Sequence, residues 1–546
     1  MIFRYLSKKD LQDIIGSNLL ERLEGLAPIL FPESADPTIL YKKDTLLKIL
    51  FSFKAAQLMK DKVFLKKLLN SLPLEELEGI SNATGVATNA KTFQERLEKI
   101  LKKGWQDRDF CEAFIREARL PEIFLPSPKH ELLPKEIVNP SVKPFKRLKI
   151  YQYNIYAKAM EQLKIPLSRF VMHMPTGSGK TRTSMELIVD TLNASPDNSI
   201  VIWIAHSEEL CEQSIQCFRE VWSHIGNTRI TIYRGYGSSY ELPGAHSGKA
   251  FFVGGFQKLH NLLKKNISVF SDIQKRVQLV VVDEAHKATA PTYEKVTKAL
   301  IGSQTRLIGL TATPGRSTED DNANYDLSQL FFSKVIGIET PNNQSVFEYL
   351  RKEKVLANVV MERLITSRTF ELTYSHKKLL NQEFDFPTSF LKKIGDDDIR
   401  NIEIIKRIKR ECDQDKKILF FACSIEHSQF ICALLSFSSI KAAHIDGSSE
   451  RSERSEKIDQ FRSGDLQVLC NYGVLSTGFD APNTDVVFIS RPTQSIVLYS
   501  QMIGRGLRGL AIGGTAQCKV INVIDNIIGL PSDDLIYDYF EEYWTD

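Results

Sequence analysis

Residues 175–181 read Pro-Thr-Gly-Ser-Gly-Lys-Thr, between an apolar run, Phe170 to Met174, and a stretch from Thr181 to Leu192. The run reads as a buried strand and the stretch as a helix carrying Met185, Leu187, Ile188 and Leu192. Glycines beside a lysine at a strand-to-helix junction constrain both fold and chemistry. Free backbone N–H groups and the helix dipole favour a phosphate there. Gly177 and Gly179 let the backbone approach it, with Thr176 and Ser178 completing the cradle. Lys180 is placed to reach the outer phosphates of a triphosphate, and Thr181 to offer its hydroxyl to Mg²⁺. The general pattern has glycine where this chain has Met174. A Gly/Ser turn with a chance lysine is the bland alternative, and the strand–loop–helix setting argues against it.

A second apolar run, Gln278 to Val282, reads as a doubly buried strand and ends in Asp283-Glu284-Ala285-His286. Carboxylates at the carboxyl end of a parallel strand sit where nucleotide chemistry occurs. Asp283 is the candidate Mg²⁺ ligand. Glu284 is the candidate base that orients and deprotonates a water in phosphoryl transfer. His286 is expected to couple this site to a facing domain. Acidic pairs at strand ends are often solvated turns; the partnership with Lys180 sets this one apart.

Further segments follow a fixed order. In the first half they are Leu148-Lys149-Ile150-Tyr151-Gln152, then Trp203-Ile204-Ala205-His206-Ser207 with Glu209-Leu210, Gly254-Gly255-Phe256-Gln257, and Gly309-Leu310-Thr311-Ala312-Thr313-Pro314-Gly315-Arg316. In the second half, a strand from Lys417 to Ala422 and a helix from Ile425 to Leu435 come first. His444-Ile445-Asp446-Gly447 precedes a charged helix with Arg454, and the strand Val468 to Asn471 leads to Leu475-Ser476-Thr477-Gly478-Phe479-Asp480-Ala481-Pro482. Gln501-Met502-Ile503-Gly504-Arg505-Gly506-Leu507-Arg508 closes the series.

In this order the segments resemble the superfamily 2 helicases and translocases. They are most like the DEAH-bearing group with restriction-enzyme motor subunits and excision-repair DNA helicases, over roughly residues 146–528. The resemblance implies an α/β fold of two tandem RecA-like parallel-sheet lobes, here preceded by a mostly α-helical N-terminal domain. It implies ATP and Mg²⁺ in the cleft between lobes. Gln152 would read the adenine, Gly478 and Asp480 would reach the ribose, and Arg505 and Arg508 would cross to the γ-phosphate. Ala205, His206, Ser207, Gly255, Phe256, Ser424, Ser476 and Thr477 would face nucleic acid, although the Gly255 segment lacks the usual threonine. His286, Thr311, Thr313 and Gln501 would couple hydrolysis to movement. DNA is the implied track. An RNA helicase and an ATP-gated nucleic-acid-sensing scaffold remain the alternatives, and no nuclease constellation stands out in residues 1–145.

The whole chain is compatible with this. Its 546 residues leave room for about three domains. A hydrophobic fraction of 42% and a charged fraction of 25% argue against bulk disorder. A net charge of +4 neither demands nor excludes nucleic acid, because a strand-tracking motor needs a local basic groove. Eight cysteines without zinc spacing read as reduced, mostly buried thiols. No secretory signal or membrane-length apolar run appears, so a cytoplasmic protein is expected.

Residues 1–125 read as a helical accessory domain, with Leu74 to Leu101 faintly like a nucleic-acid-binding module. Prolines make 126–145 an extended linker. Motor domains are expected over 146–335 and 401–530, joined by a segment 336–400 with a helix at Ser345 to Leu356 and a strand at Val359 to Ile365. An acidic, aromatic tail, 531–546, is expected to pack on the second lobe or dock a protein partner, a role also open to residues 1–125.

Overall fold

The computed structural model describes residues 2–546 except 33–36, 106, 121–123, 126–132, 142–144, 238–239, 245–247, 286–290, 313–327, 342–343, 384, 450, 475–483 and 529–546. His286, Thr313, Ser476, Thr477, Gly478, Asp480 and the acidic tail therefore lie outside the described residues.

Two sheets organise the chain. The first contains β1 (Lys135–Val138), β2 (Arg169–His173), β3 (Ile200–Ala205), β4 (Ile230–Gly235), β5 (Ala250–Gly255), β6 (Val277–Asp283), β7 (Arg306–Thr311) and β8 (Val335–Gly337). Their order is β1-β4-β5-β3-β6-β7-β2-β8. All of these pairings are parallel except that of β1 with β4. The second sheet contains β9 (Asn358–Glu371), β10 (Ile418–Phe421), β11 (Ala442–Ile445), β12 (Val468–Asn471), β13 (Val486–Ile489) and β14 (Gln517–Ile528). It is wholly parallel, in the order β11-β12-β10-β13-β14-β9. Central strands such as β3, β10 and β13 are buried at every position. Their unbroken Val, Ile and Phe runs follow from helices covering both faces.

Two segments read as connectors belong to these sheets. Lys135–Val138, inside the proline-rich stretch, is an edge strand of the first sheet. Pro134 and Pro140 flank it, where a missing N–H costs no central ladder bond. Glu136 pairs with Arg219 at 2.7 Å and with buried Arg234 at 3.1 Å, fixing the strand to the lobe. The strand expected over Val359 to Ile365 runs from Asn358 to Glu371 and forms the edge of the second sheet. The helix expected over Ser345 to Leu356 ends at Lys352. Beyond it Leu356 bridges to Arg508, so tertiary pairing overrides the local helical pattern.

Among the described residues, the buried apolar side chains of the helical N-terminal domain do not join the cores of the lobe that follows it in sequence. They share one hydrophobic core with the second lobe. Leu46, Ile49 and Leu50 of helix Lys43–Leu58 and Ile431, Leu434 and Leu435 of helix Ile425–Phe437 are all buried in that cluster. Helix Ile425–Phe437 is apolar almost all round, as a helix buried on both sides must be. Polar contacts reinforce the junction. The Arg22 guanidinium meets Asp398 at 2.6 Å and lies 3.8 Å from the centroid of Phe430. Each apolar side chain buried there contributes about 2 kcal/mol. A chain lacking residues 1–125 is therefore expected to aggregate under conditions where the full chain is monodisperse. Size-exclusion chromatography of the two forms checks this; a monodisperse truncated chain would mean the interface is dispensable.

All eight cysteines are free thiols, and seven are buried. Among the described residues no helix is long and apolar enough to cross a membrane.

Candidate nucleotide cleft

β2 ends at His173 and the loop then turns into helix Lys180–Ala194. Gly177 and Gly179 have φ of 85° and 86°, a left-handed region where a side chain is strained. A Cβ on Gly179 would also strike the Gln152 amide. Met174, at the departure from the general glycine, is fully buried, so its side chain goes into the core rather than into the loop. The loop is braced from below. The Ser178 carbonyl accepts the Tyr151 hydroxyl at 2.7 Å and the Gln152 amide at 3.3 Å. Lys149 N–H donates to the Gln152 carbonyl oxygen at 2.9 Å. Gln152 thus supports the phosphate loop, a role the sequence reading did not assign.

β6 brings Asp283 and Glu284 to the same place. Lys180 Nζ lies 3.7 Å from Asp283 Oδ1 and 3.7 Å from Glu284 Oε1. Burial pushes the Asp283 carboxyl up to about 6, against the pull of Lys180. Glu284 has φ of 52°, unusual for a non-glycine residue, and its N–H donates to Asp283 Oδ1 at 3.0 Å. Thr311 ends β7 fully buried, and its carbonyl accepts Met174 N–H at 3.1 Å. That bond joins the end of β7 to the base of the phosphate loop.

The second lobe closes the other side. A cavity of about 640 Å³ is lined by Gln152, residues 175–182, Asp283 and Glu284 from the first lobe and by Gln501, Arg505 and Arg508 from the second. Burial pushes both guanidinia down to about 10, with the Glu284 charge opposing this at Arg505 and Arg462 adding to it at Arg508. Both remain cationic at neutral pH. The side-chain Nε2 of Gln501 is buried and has no partner among the described residues. Across the cleft, Arg454 meets Glu209 at 2.8 Å.

Contacts invisible in the sequence set how closely the lobes approach. A Cβ on Gly504 would overlap the Thr176 methyl and lie 2.9 Å from Thr176 Cβ and from the Ser500 carbonyl. Leu356 Cδ2 lies 3.4 Å from where a Gly177 Cβ would sit. Gly504→Ala is therefore expected to hold the lobes apart and slow turnover about a hundredfold, as small misplacements do, while nucleotide still binds. Parallel kcat and nucleotide-binding measurements check this; an unchanged kcat removes the close approach from the cycle. Phe145 also lines the cavity, 5.8 Å from His224 and with Arg182 5.1 Å from its centroid. No motif marked it; its place just ahead of Leu148 was the one available signal.

Residues expected to face nucleic acid lie at the carboxyl ends of strands. His206 and Ser207 follow β3, and Ser207 caps helix Glu208–Ile225 by accepting Leu210 N–H at 3.3 Å. Ser424 follows β10 and caps the next helix, accepting His427 N–H at 3.0 Å. Gly255 ends β5. The side chains of Ala205 and Phe256 are turned inward: Ala205 is fully buried and Phe256 is 2% exposed within an apolar cluster. Any contact there falls to backbone, because the period of strand and helix turns both side chains into the core.

Two parallel-sheet lobes sharing one phosphate-loop cleft define a nucleotide-driven two-lobed motor. Residues 145–316 match the family model described as type III restriction enzyme, res subunit, and residues 400–509 match the helicase conserved C-terminal domain. The chain belongs to the superfamily 2 helicases.

A 51.5 kDa protein of a Lactococcus phage is 26% identical, over 68% of this chain and 70% of that one. An irc3 protein of Schizosaccharomyces pombe, named as a mitochondrial ATP-dependent helicase, is 26% identical over 70% of this chain and 58% of its own length. The chain thus spans a little over half of that yeast relative. The ATP-dependent DNA helicase mph1 of Aspergillus niger is 31% identical over 37% of this chain and 17% of its own.

Proposed function

We propose that the chain is a DNA-stimulated ATPase that couples hydrolysis to movement along a DNA strand. The carrying observation is the single cavity lined by Lys180, Asp283 and Glu284 on one side and Gln501, Arg505 and Arg508 on the other. Lys180 holds the outer phosphates. Glu284 takes the proton of the attacking water. Arg505 and Arg508 direct N–H donors to the charge that spreads over the equatorial oxygens. Only the approached lobes bring both sets of groups together, so hydrolysis is tied to lobe movement.

The residues present fit Mg²⁺. Thr181 and the buried Asp283 carboxylate are oxygen donors, and this ion commonly takes one or two carboxylates along with substrate phosphates. Bound there, Mg²⁺ supplies charge neutralisation at the phosphate oxygens. The unpartnered Gln501 amide is a further donor awaiting a polar partner in the same cavity.

DNA is preferred because Asp283-Glu284-Ala285-His286 with Thr311-Ala312-Thr313-Pro314 and Gly478-Phe479-Asp480-Ala481-Pro482 resembles the DNA-acting motors, and because the matched mph1 relative is named a DNA helicase. A restriction-type or repair setting is consistent with the family description matched by residues 145–316. The test is ATPase rate against duplex DNA, single-stranded DNA and RNA at one salt concentration. DNA should stimulate most. Stimulation by RNA alone would reassign the track, and stimulation by none would end the motor reading.

A further inference from the structure

The helices Tyr374–Glu383 and Thr388–Gly395 lie outside every motif discussed above. Their placement is specific. β14 pairs with β13 only as far as Asn522, then continues with β9 to Ile528 opposite Glu371. This two-stranded ribbon projects roughly 20 Å past the carboxyl ends of its neighbours, at about 3.3 Å per residue. The helix pair follows directly from the tip of β9 and folds back against the rim. Phe370, Leu372, Leu380, Phe386, Phe390, Leu391, Ile394 and Cys423 form a separate small core that stiffens it.

Three contacts clamp the pair to the rim. Asp385 pairs with Arg491, just past β13, at 2.7 Å and accepts Gln494 N–H at 3.1 Å. A Cβ on Gly395 would lie 2.9 Å from His427 Cβ and 3.2 Å from Cys423 Cβ, so the second helix ends on the loop that carries Ser424. Lys392 pairs at 2.8 Å with Glu426, two residues beyond Ser424. The outer side carries a cluster of lysines. Lys377, Lys378 and Lys393 are exposed and Tyr374 is 87% exposed, while Lys392 is exposed but tied to Glu426; the exposed carboxylates Glu371 and Asp396 flank the pair at its two ends. The whole chain, by contrast, nearly balances 71 basic against 67 acidic residues.

In parallel α/β sheets ligands bind beyond the carboxyl ends of the strands. We infer that this helix pair is a wall of the nucleic-acid groove on the second lobe. Lys377, Lys378 and Lys393 grip the sugar–phosphate backbone, and Tyr374 offers a ring on which a base or sugar stacks. The inference rests on the motor reading above and extends it to residues no motif assigns.

The test uses the full chain and labelled single-stranded DNA, duplex DNA and single-stranded RNA, with affinity measured by anisotropy across a salt series. The double variant Lys377→Glu/Lys378→Glu should lose about tenfold in affinity for the preferred strand and flatten the dependence of log affinity on log salt by about two. Its ATPase rate without nucleic acid should stay at the wild-type value. Lys377→Arg/Lys378→Arg should bind like wild type, and the distant exposed pair Lys8→Glu/Lys9→Glu should change little. Wild-type affinity and slope in the first variant would overturn the wall, as would an equal loss from the Lys8/Lys9 reversal. A wild-type chain that neither binds nor responds to any of the three nucleic acids would overturn the motor reading itself, a result distinct from either.

Discussion

Arg508→Ala is expected to slow ATP hydrolysis about a thousandfold, the lower range for losing an arginine that stabilises a phosphoryl-transfer transition state. The residue is held unusually firmly. Its backbone bridges Leu356, its carbonyl accepts Thr515 N–H at 2.9 Å, and a Cβ on Gly514 would overlap that carbonyl. Burial makes its charge costly, and a guanidinium held away from bulk water is expected to act strongly on phosphate oxygens brought into the same cavity. Arg508→Lys should recover little, because an ammonium lacks the planar fork of donors. Steady-state kinetics at saturating DNA checks both; a kcat within twofold of wild type, roughly, would take the residue out of the transition state.

Glu284→Gln is expected to bind ATP normally and to turn it over about a thousandfold more slowly, a typical loss for a general base. The substitution keeps shape but removes the proton acceptor. The left-handed φ of 52° at Glu284 is part of the argument, since strain of this kind persists where surrounding structure holds it in place. With Lys180 3.7 Å away, loss of the negative charge also relieves the cation of one partner, so nucleotide affinity should hold or rise. Equilibrium binding of a labelled nucleotide beside single-turnover hydrolysis separates the two effects. Normal turnover in this variant would assign the base elsewhere.

Much of the cleft was legible because its demands are local. Gly177 and Gly179 need positive φ, and strand-to-helix hydropathy places them at a helix N-terminus. The second acidic motif was legible for the same reason: an apolar strand ending in two carboxylates is a short pattern. Other features left weak local traces or none. The strand Lys135–Val138 hid among prolines because an edge strand tolerates them at its ends. Phe256 looked available beside Gly255, yet the step from strand to helix turns its ring into the core. Gln152 carried a motif, but its brace on Ser178 shows only when the loop is folded above it.

The docking of the helical domain on the second lobe had one trace, the nearly all-round apolar helix Ile425–Phe437. That pattern says a helix is covered on both sides without saying by what. Apolar faces are generic: any of several helices in residues 1–125 could have matched it by composition alone.

The sequence by itself determined the class of protein and which residues the phosphate loop and the acidic strand end bring to one cleft, because glycine conformation, charge type and strand burial are written over a few adjacent residues. Only the tertiary structure decided which surfaces meet: Gly504 against Thr176, the N-terminal helices on the second lobe, and the lysine-rich helix pair at its rim. Those pairings join residues far apart in the chain, and their specificity lies in shape and distance, which no short stretch of sequence encodes.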